Sequence, residues 1–254
     1  MIEWHGFNWP GPKTLRVPLL RPHLPAEMDI RENIARVEER IAAACRRNGR
    51  RREDVKLVAV SKTHPPELIR AAFEAGLRDF GENRVQEATS KRAALADLDA
   101  TWHLVGHLQS NKARAARELF HWVHSVDSLR LAEKLAQAAA PADARLPVLI
   151  EVNLGEETSK AGVRAGDVAT LAEQMAQLVT LELRGLMMIP PFSENPEDAR
   201  PYFRQLRTLA GDLEAQNLVS MPELSMGMSH DFEVAIEEGA TMVRVGTAIF
   251  GKRT

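Results

Sequence analysis

Lys62 directly follows the run Val58-Ala59-Val60-Ser61. At the end of a buried strand an amine is partly stripped of water, which disfavours its charged form and leaves a nucleophile able to attack a carbonyl. A solvated strand-end lysine would carry the same local sequence. Two later segments offer anion chemistry: Ser225-Met226-Gly227-Met228-Ser229-His230 and Arg244-Val245-Gly246-Thr247. In each, a glycine (Gly227, Gly246) lets backbone N–H groups approach an oxyanion and a hydroxyl (Ser229, Thr247) adds a donor, as in a phosphate cup. Ordinary turns with hydroxyl caps use the same residues. Arg244 alternates with Val243 and Val245, so if those face outward it faces inward. A permanently charged guanidinium there requires an acceptor, either a ligand atom or a carboxylate such as Glu151 or Glu82.

These positions matter only if strand ends converge, and the pattern of elements says that they do. Short apolar runs alternate with amphipathic stretches, giving eight predicted strands: Val55 to Ser61, Arg78 to Gly81, Trp102 to His107, Trp122 to Val126, Val148 to Leu154, Leu183 to Ile189, Glu223 to Met226 and Met242 to Val245. Predicted helices include Pro65-Pro66 to Gly76, Asp167 to Leu178 and Ala199 to Gln216, and Asp127 is placed to cap the helix carrying Leu129, Ala132 and Leu135. Eight such units favour a closed (β/α)8 barrel over a doubly wound open sheet. An open sheet of the dinucleotide-binding kind would show a glycine-rich turn where this chain has Ser61-Lys62-Thr63-His64-Pro65-Pro66. In a barrel, Lys62 stands at the carboxyl end of strand one, and Ser229 and Thr247 stand after strands seven and eight, where barrels often hold phosphate.

An extra N-terminal helix precedes the barrel: Ile30, Ile34, Val37, Ile41 and Ala44 share one face, and Gly49 ends it. Residues 1–27, with five prolines, Trp4, Trp9 and no periodicity, are expected to be an irregular extension, and residues 28–254 a single barrel domain. Met28 is a plausible biological start.

The whole chain has 254 residues, 44% apolar and 27% charged, which excludes disorder, collagen and coiled coil. Net charge is −2, and basic residues cluster only over Arg46 to Arg52, so nucleic acid is not favoured as a partner. One cysteine, Cys45, forbids an internal disulfide and a multi-cysteine metal site; with neither a long apolar run nor a signal-type start, no membrane partner and a cytoplasmic location are expected. His103, His107, His121 and His124 lack the spacing of a metal site on one helix face and read as satisfied core or rim histidines. Trp102 and Trp122 read as packing residues. Tyr202, the sole tyrosine, falls on an exterior helix, a poor place for a catalytic base.

Five segments together carry a family resemblance: Val-Ser-Lys-Thr (60–63), Gly-Glu-Asn-Arg-Val-Gln-Glu (81–87), Trp-His-Leu-Val-Gly-His-Leu-Gln-Ser-Asn-Lys (102–112), Leu-Ser-Met-Gly-Met-Ser (224–229) and Val-Arg-Val-Gly-Thr-Ala-Ile-Phe-Gly (243–251). The chain closely resembles the pyridoxal phosphate homeostasis protein family, in order, over roughly residues 29 to 252. The resemblance implies a single-domain barrel akin to the N-terminal domain of alanine racemase, holding pyridoxal 5′-phosphate as a Schiff base on Lys62. By the same resemblance Ser229, Gly246 and Thr247 hold the phosphate, Arg244 faces the pyridine nitrogen, and Asn83 neighbours the cofactor. Lys112 and Lys160 fall in family-typical segments and would form a positive rim. Apo-enzymes that depend on the cofactor are implied as recipients, and a monomer or small homo-oligomer is expected by analogy.

Racemisation needs a second acid/base group on the far side of the cofactor, in alanine racemase a tyrosine from an additional domain. With the chain ending at Thr254 and Tyr202 outside, only Lys62 is evident, and an arginine at the ring nitrogen weakens the ring as an electron sink. The reading is therefore a carrier that stores or delivers the cofactor without turnover. A weak racemase or lyase, and an aldolase-type barrel with an imine on Lys62, stand as alternatives.

Overall fold

The computed structural model describes residue 1 and residues 29–140, 144–155 and 161–251. From residue 2 onward the expected extension over residues 1–27 lies outside the described residues, as does Lys160. Eight strands run parallel: β1 (Lys56–Val60), β2 (Asp79–Glu82), β3 (Thr101–Leu104), β4 (Trp122–Val126), β5 (Leu146–Asn153), β6 (Leu181–Met187), β7 (Glu223–Met228) and β8 (Met242–Val245). Each pairs with the next, and β8 pairs with β1 in the register Val58 to Arg244, which closes the barrel. β4 and β8 keep the predicted limits. β3 ends at Leu104 rather than His107 because the chain turns across the exit of β2, bringing Gly106 so close that a Cβ there would lie 2.4 Å from the Asn83 carbonyl oxygen. A two-residue strand, Val163–Arg164, adds to the end of β5 and has no counterpart in the sequence pattern.

The helices are α1 (Ile30–Arg47), α2 (Pro66–Glu74), α3 (Val85–Ala94), α4 (Ala113–Leu119), α5 (Leu129–Gln137), α6 (Val168–Met175), α7 (Arg200–Ala215), α8 (Phe232–Glu237) and α9 (Thr247–Phe250). Asp29 caps α1 through its side chain, and the predicted face of Ile30, Ile34, Val37, Ile41 and Ala44 is buried. At α5 the cap is Ser128, which accepts from the Leu131 N–H, and not Asp127 as the sequence suggested. Asp127 instead accepts from the Ser128 hydroxyl at 3.1 Å and pairs with His107 Nδ1 at 3.2 Å. Among the described residues no helix is long and apolar enough to cross a membrane.

Side-chain alternation divides the barrel into two interiors. Leu57 and Ala59 of β1, Phe80 of β2, Trp102 and Leu104 of β3, and Val243 and Val245 of β8 point outward and join one continuous apolar core with the helices. Each large side chain fully buried there contributes about 1.5–3 kcal/mol. Val58 and Val60 point inward and form, with Val105, a small cluster of their own. Much of the rest of the inside is polar: His103, His124, Ser225 and Arg244 are all buried.

Candidate functional site

Lys62 lies in phase with inward-facing Val58 and Val60, two residues past the end of β1, and is half-buried. Its two neighbours are clamped from outside the barrel. Lys91 of α3 donates to the Ser61 carbonyl (2.7 Å), to Glu82 Oε1 (2.7 Å) and to Glu87 Oε1 (2.6 Å), while the Ser61 hydroxyl donates to Glu82 Oε1 at 2.7 Å. The Thr63 N–H donates to Glu87. Thr63 has φ +66°, a left-handed conformation that costs a β-branched residue on the order of 1–3 kcal/mol. The ion cluster of α3 holds it there. Burial, only partly offset by Lys91 and Ser61, keeps the Glu82 carboxyl above its usual range, and Glu82 Oε2 has no partner.

The exits of β7 and β8 meet beside this loop. The half-buried Ser229 hydroxyl accepts from the N–H groups of Gly246 and Ala248, each at 3.3 Å, and the turn is closed by Asp231, which accepts from the Met228 N–H at 2.6 Å. A Cβ on Gly246 would lie 2.9 Å from the Val60 carbonyl oxygen, and one on Gly227, at φ +87°, would lie 2.5 Å from the Ala235 Cβ. Packing between strand ends and on α8 therefore accounts for both glycines, where the sequence suggested close approach to an anion. The same packing sets Gly246 against Val60, two residues before Lys62 in the chain. Thr247 is exposed beside it, and Asn33 of α1 steadies the loop by donating to the Ile249 carbonyl at 2.9 Å.

Arg244 points into the barrel and is buried. Its Nη1 donates to Ser225 Oγ at 2.7 Å and its Nη2 to the Met188 carbonyl at 2.8 Å. Burial pushes its pKa down to about 10, against the pull of Asp231 and Glu151. The carboxylate pair suggested by the sequence does not form: among the described residues no ion pair to Arg244 is present. Glu82 faces the opposite side of its strand toward Lys91. Glu151 is buried on β5 in register with Met187 and Ser225; Oε2 has no partner, and burial, then Asp127, raises its pKa.

Lys62, Arg244, Ser229, Gly246 and Thr247 thus gather at the exits of the three adjacent strands β1, β8 and β7. Asn83 stands one strand further round, on a rim cavity of about 430 Å³ that it shares with Arg84, His107 and Lys112. Sequence reasoning placed His103 and His124 in the core but did not join them to Ser225 and Arg244. The signal was present in the alternation of Trp102-His103-Leu104 and Val123-His124-Ser125, which puts both imidazoles on the inner face.

The family described as "Alanine racemase, N-terminal domain" matches residues 30–254. A protein of Aquifex aeolicus named "Pyridoxal phosphate homeostasis protein" is 49% identical over 226 residues, covering 89% of this chain and 99% of the relative. The chain belongs to the pyridoxal phosphate homeostasis protein family. A second relative of that name, from Pseudomonas aeruginosa, is 48% identical over 88% of this chain and 96% of its own length. Among solved structures, PipY of Synechococcus elongatus with pyridoxal phosphate bound superposes with a TM-score of 0.78 at 44% identity, covering 88% of this chain and all of PipY.

Proposed function

We propose that the chain binds pyridoxal 5′-phosphate in the cytoplasm and stores it or hands it on to apo-enzymes that depend on it. Lys62 is the covalent anchor, Ser229, Gly246 and Thr247 hold the phosphate, Arg244 meets the pyridine nitrogen, and Asn83 lies alongside. One observation carries this reading: an amine, an anion cup and a buried guanidinium converge on three neighbouring strand ends. The donor set fits the group. The two 3.3 Å bonds at Ser229 are long, so the Gly246 and Ala248 N–H groups can turn to an anionic oxygen, and the hydroxyl can then donate to it.

When bound, the cofactor supplies an aldehyde that condenses with a primary amine and releases water. Lys62 would offer that amine from a backbone held on either side at Ser61 and Thr63. The Ser229 loop would hold the phosphate end, and the Arg244 guanidinium, as a cationic donor, would favour an unprotonated ring nitrogen. Tyr202 lies on α7, packed against the outer core, and cannot serve as a second acid/base at the mouth. The position of Tyr202 supports binding without turnover. The racemase reading has one observation in its favour, the Glu151 carboxyl on the inner face, whose Oε2 has no partner and whose pKa burial raises.

Borohydride reduction of the loaded protein followed by peptide mapping is expected to place the pyridoxyl group on Lys62, and Lys62→Ala is expected to lose both the label and the absorbance of the bound cofactor while staying folded. Labelling at another lysine overturns the anchor. Racemisation of alanine or serine near the ~10 s⁻¹ typical of enzymes, abolished in Lys62→Ala, overturns the carrier.

A further inference from the structure

Between Arg244 and the closed end of the barrel runs a chain of hydrogen bonds whose ends dictate the position of every proton. Arg244 can only donate, and does so to Ser225 Oγ at 2.7 Å. Ser225 Oγ lies 2.9 Å from His124 Nδ1, and His124 Nε2 lies 3.0 Å from His103 Nδ1. His103 Nε2 lies 2.9 Å from Asp79 Oδ1, which also accepts from Lys56 Nζ at 3.1 Å. Despite its burial, Asp79 is held below the usual carboxylate range by His103 and Lys56, so this end can only accept.

With a donor at one end and an acceptor at the other, two neutral imidazoles have one arrangement. Ser225 donates to His124 Nδ1, His124 donates from Nε2 to His103 Nδ1, and His103 donates from Nε2 to Asp79. Reversal would turn a lone pair of His103 toward the carboxylate, or demand that the buried His103 be an imidazolium, which burial disfavours. Burial keeps both rings below their ordinary range, His124 well below. The charged and titratable groups around His103 are His124, Asp79, Lys56 and His121, and those around His124 are His103, Arg244 and Lys56.

We infer that Ser225, His124, His103 and Asp79 are positioning residues for Arg244, forming a proton-ordered relay that fixes how its guanidinium presents its remaining N–H groups to the barrel mouth. The inference rests on the reading of Arg244 as the partner of the pyridine nitrogen. A carboxylate in place of Ser225 would also hold the guanidinium but would neutralise it. The neutral relay gives it an oriented acceptor without a formal charge beside it, leaving the positive charge available to a ligand acceptor.

Two measurements test this. In the parent protein at neutral pH, side-chain ¹⁵N spectra are expected to show His103 and His124 both as neutral Nε2–H tautomers. Asp79→Leu is expected to mix the tautomers of His103, and Asp79→Asn, whose carbonyl still accepts, to preserve them. A charged ring or an Nδ1–H tautomer in the parent overturns the relay without recourse to any variant. Second, affinities are compared for pyridoxal phosphate and for its analogue with C–H in place of the ring nitrogen. The parent is expected to prefer the natural compound about tenfold, and Ser225→Ala and His124→Phe to lose most of that preference with the analogue's affinity unchanged, for the loss of one oriented charge-assisted bond. Ser225→Thr is expected to restore it. Variants that keep the full preference overturn the positioning role. A parent that binds both compounds equally, with the tautomers as stated, overturns the assignment of Arg244 itself and the inference with it.

Discussion

Trp102 and His103 are consecutive in β3 and belong to different solvents. Trp102 packs outward against Phe80 with ring centroids 5.9 Å apart, inside the apolar layer between barrel and helices. His103 turns inward to His124 and Asp79. The outer layer is held by shape and area, which many sequences can supply; the inner one is held by hydrogen bonds that must all be satisfied together. The difference separates what specifies the fold from what specifies the site.

The largest expected effect lies in the outer layer. Phe203→Ala on α7, where the ring is wholly buried, should destabilise the protein by about 3–5 kcal/mol in chemical denaturation with cofactor affinity unchanged. Loss of affinity in the folded variant would erase the division between the layers. Inside, His124→Leu should cost less, about 1–3 kcal/mol, because it leaves the Ser225 hydroxyl and one His103 nitrogen unsatisfied without opening a large cavity. A neutral result would mean the inner bonds contribute nothing to stability. The smallest effect is on pH dependence. His103 and His124 titrate lower in the folded chain than the ordinary value near 6.5, so below that pH the unfolded chain binds more protons and stability falls as acidity rises. Buried Glu82, Glu151 and Asp231, whose pKa values are raised, contribute with the opposite sign. Relative to a His103→Phe/His124→Leu double variant, in which those acids remain, the parent should lose about 1–2 kcal/mol more between about pH 6.5 and 5.5. Parallel pH curves would show that the rings are not buried neutral.

The outer layer was the legible part. Short apolar runs gave the eight strands and put Lys62 at the end of the first, and the spacing of Ile30, Ile34, Val37 and Ile41 gave α1, because apolar patterning reports burial against a neighbouring layer. What escaped was pairwise. Ser128 and Asp127 are adjacent candidates for one cap, and only the backbone geometry at the helix start chooses between them. Arg244 was correctly turned inward, yet its partner could not be read from strand phase alone: Glu82 shares the strand ends but faces outward, and Ser225, inside the predicted strand Glu223 to Met226, was not read as its acceptor. Gly227 and Gly246 advertised a ligand but answer first to Ala235 and the Val60 carbonyl, since close approach leaves the same residue type whatever does the approaching.

Closure of β8 on β1 also sets a timetable for synthesis. Lys62 leaves the ribosome well before Arg244, Gly246 and Thr247, and Asn33 finds the Ile249 carbonyl only across 216 positions of chain. Contacts this distant in sequence form late, after the loop entropy between them has been overcome. A nascent chain short of its final strand holds the amine without the cup or the guanidinium. On the proposed reading, retention of the cofactor would then wait on the strand that closes the barrel.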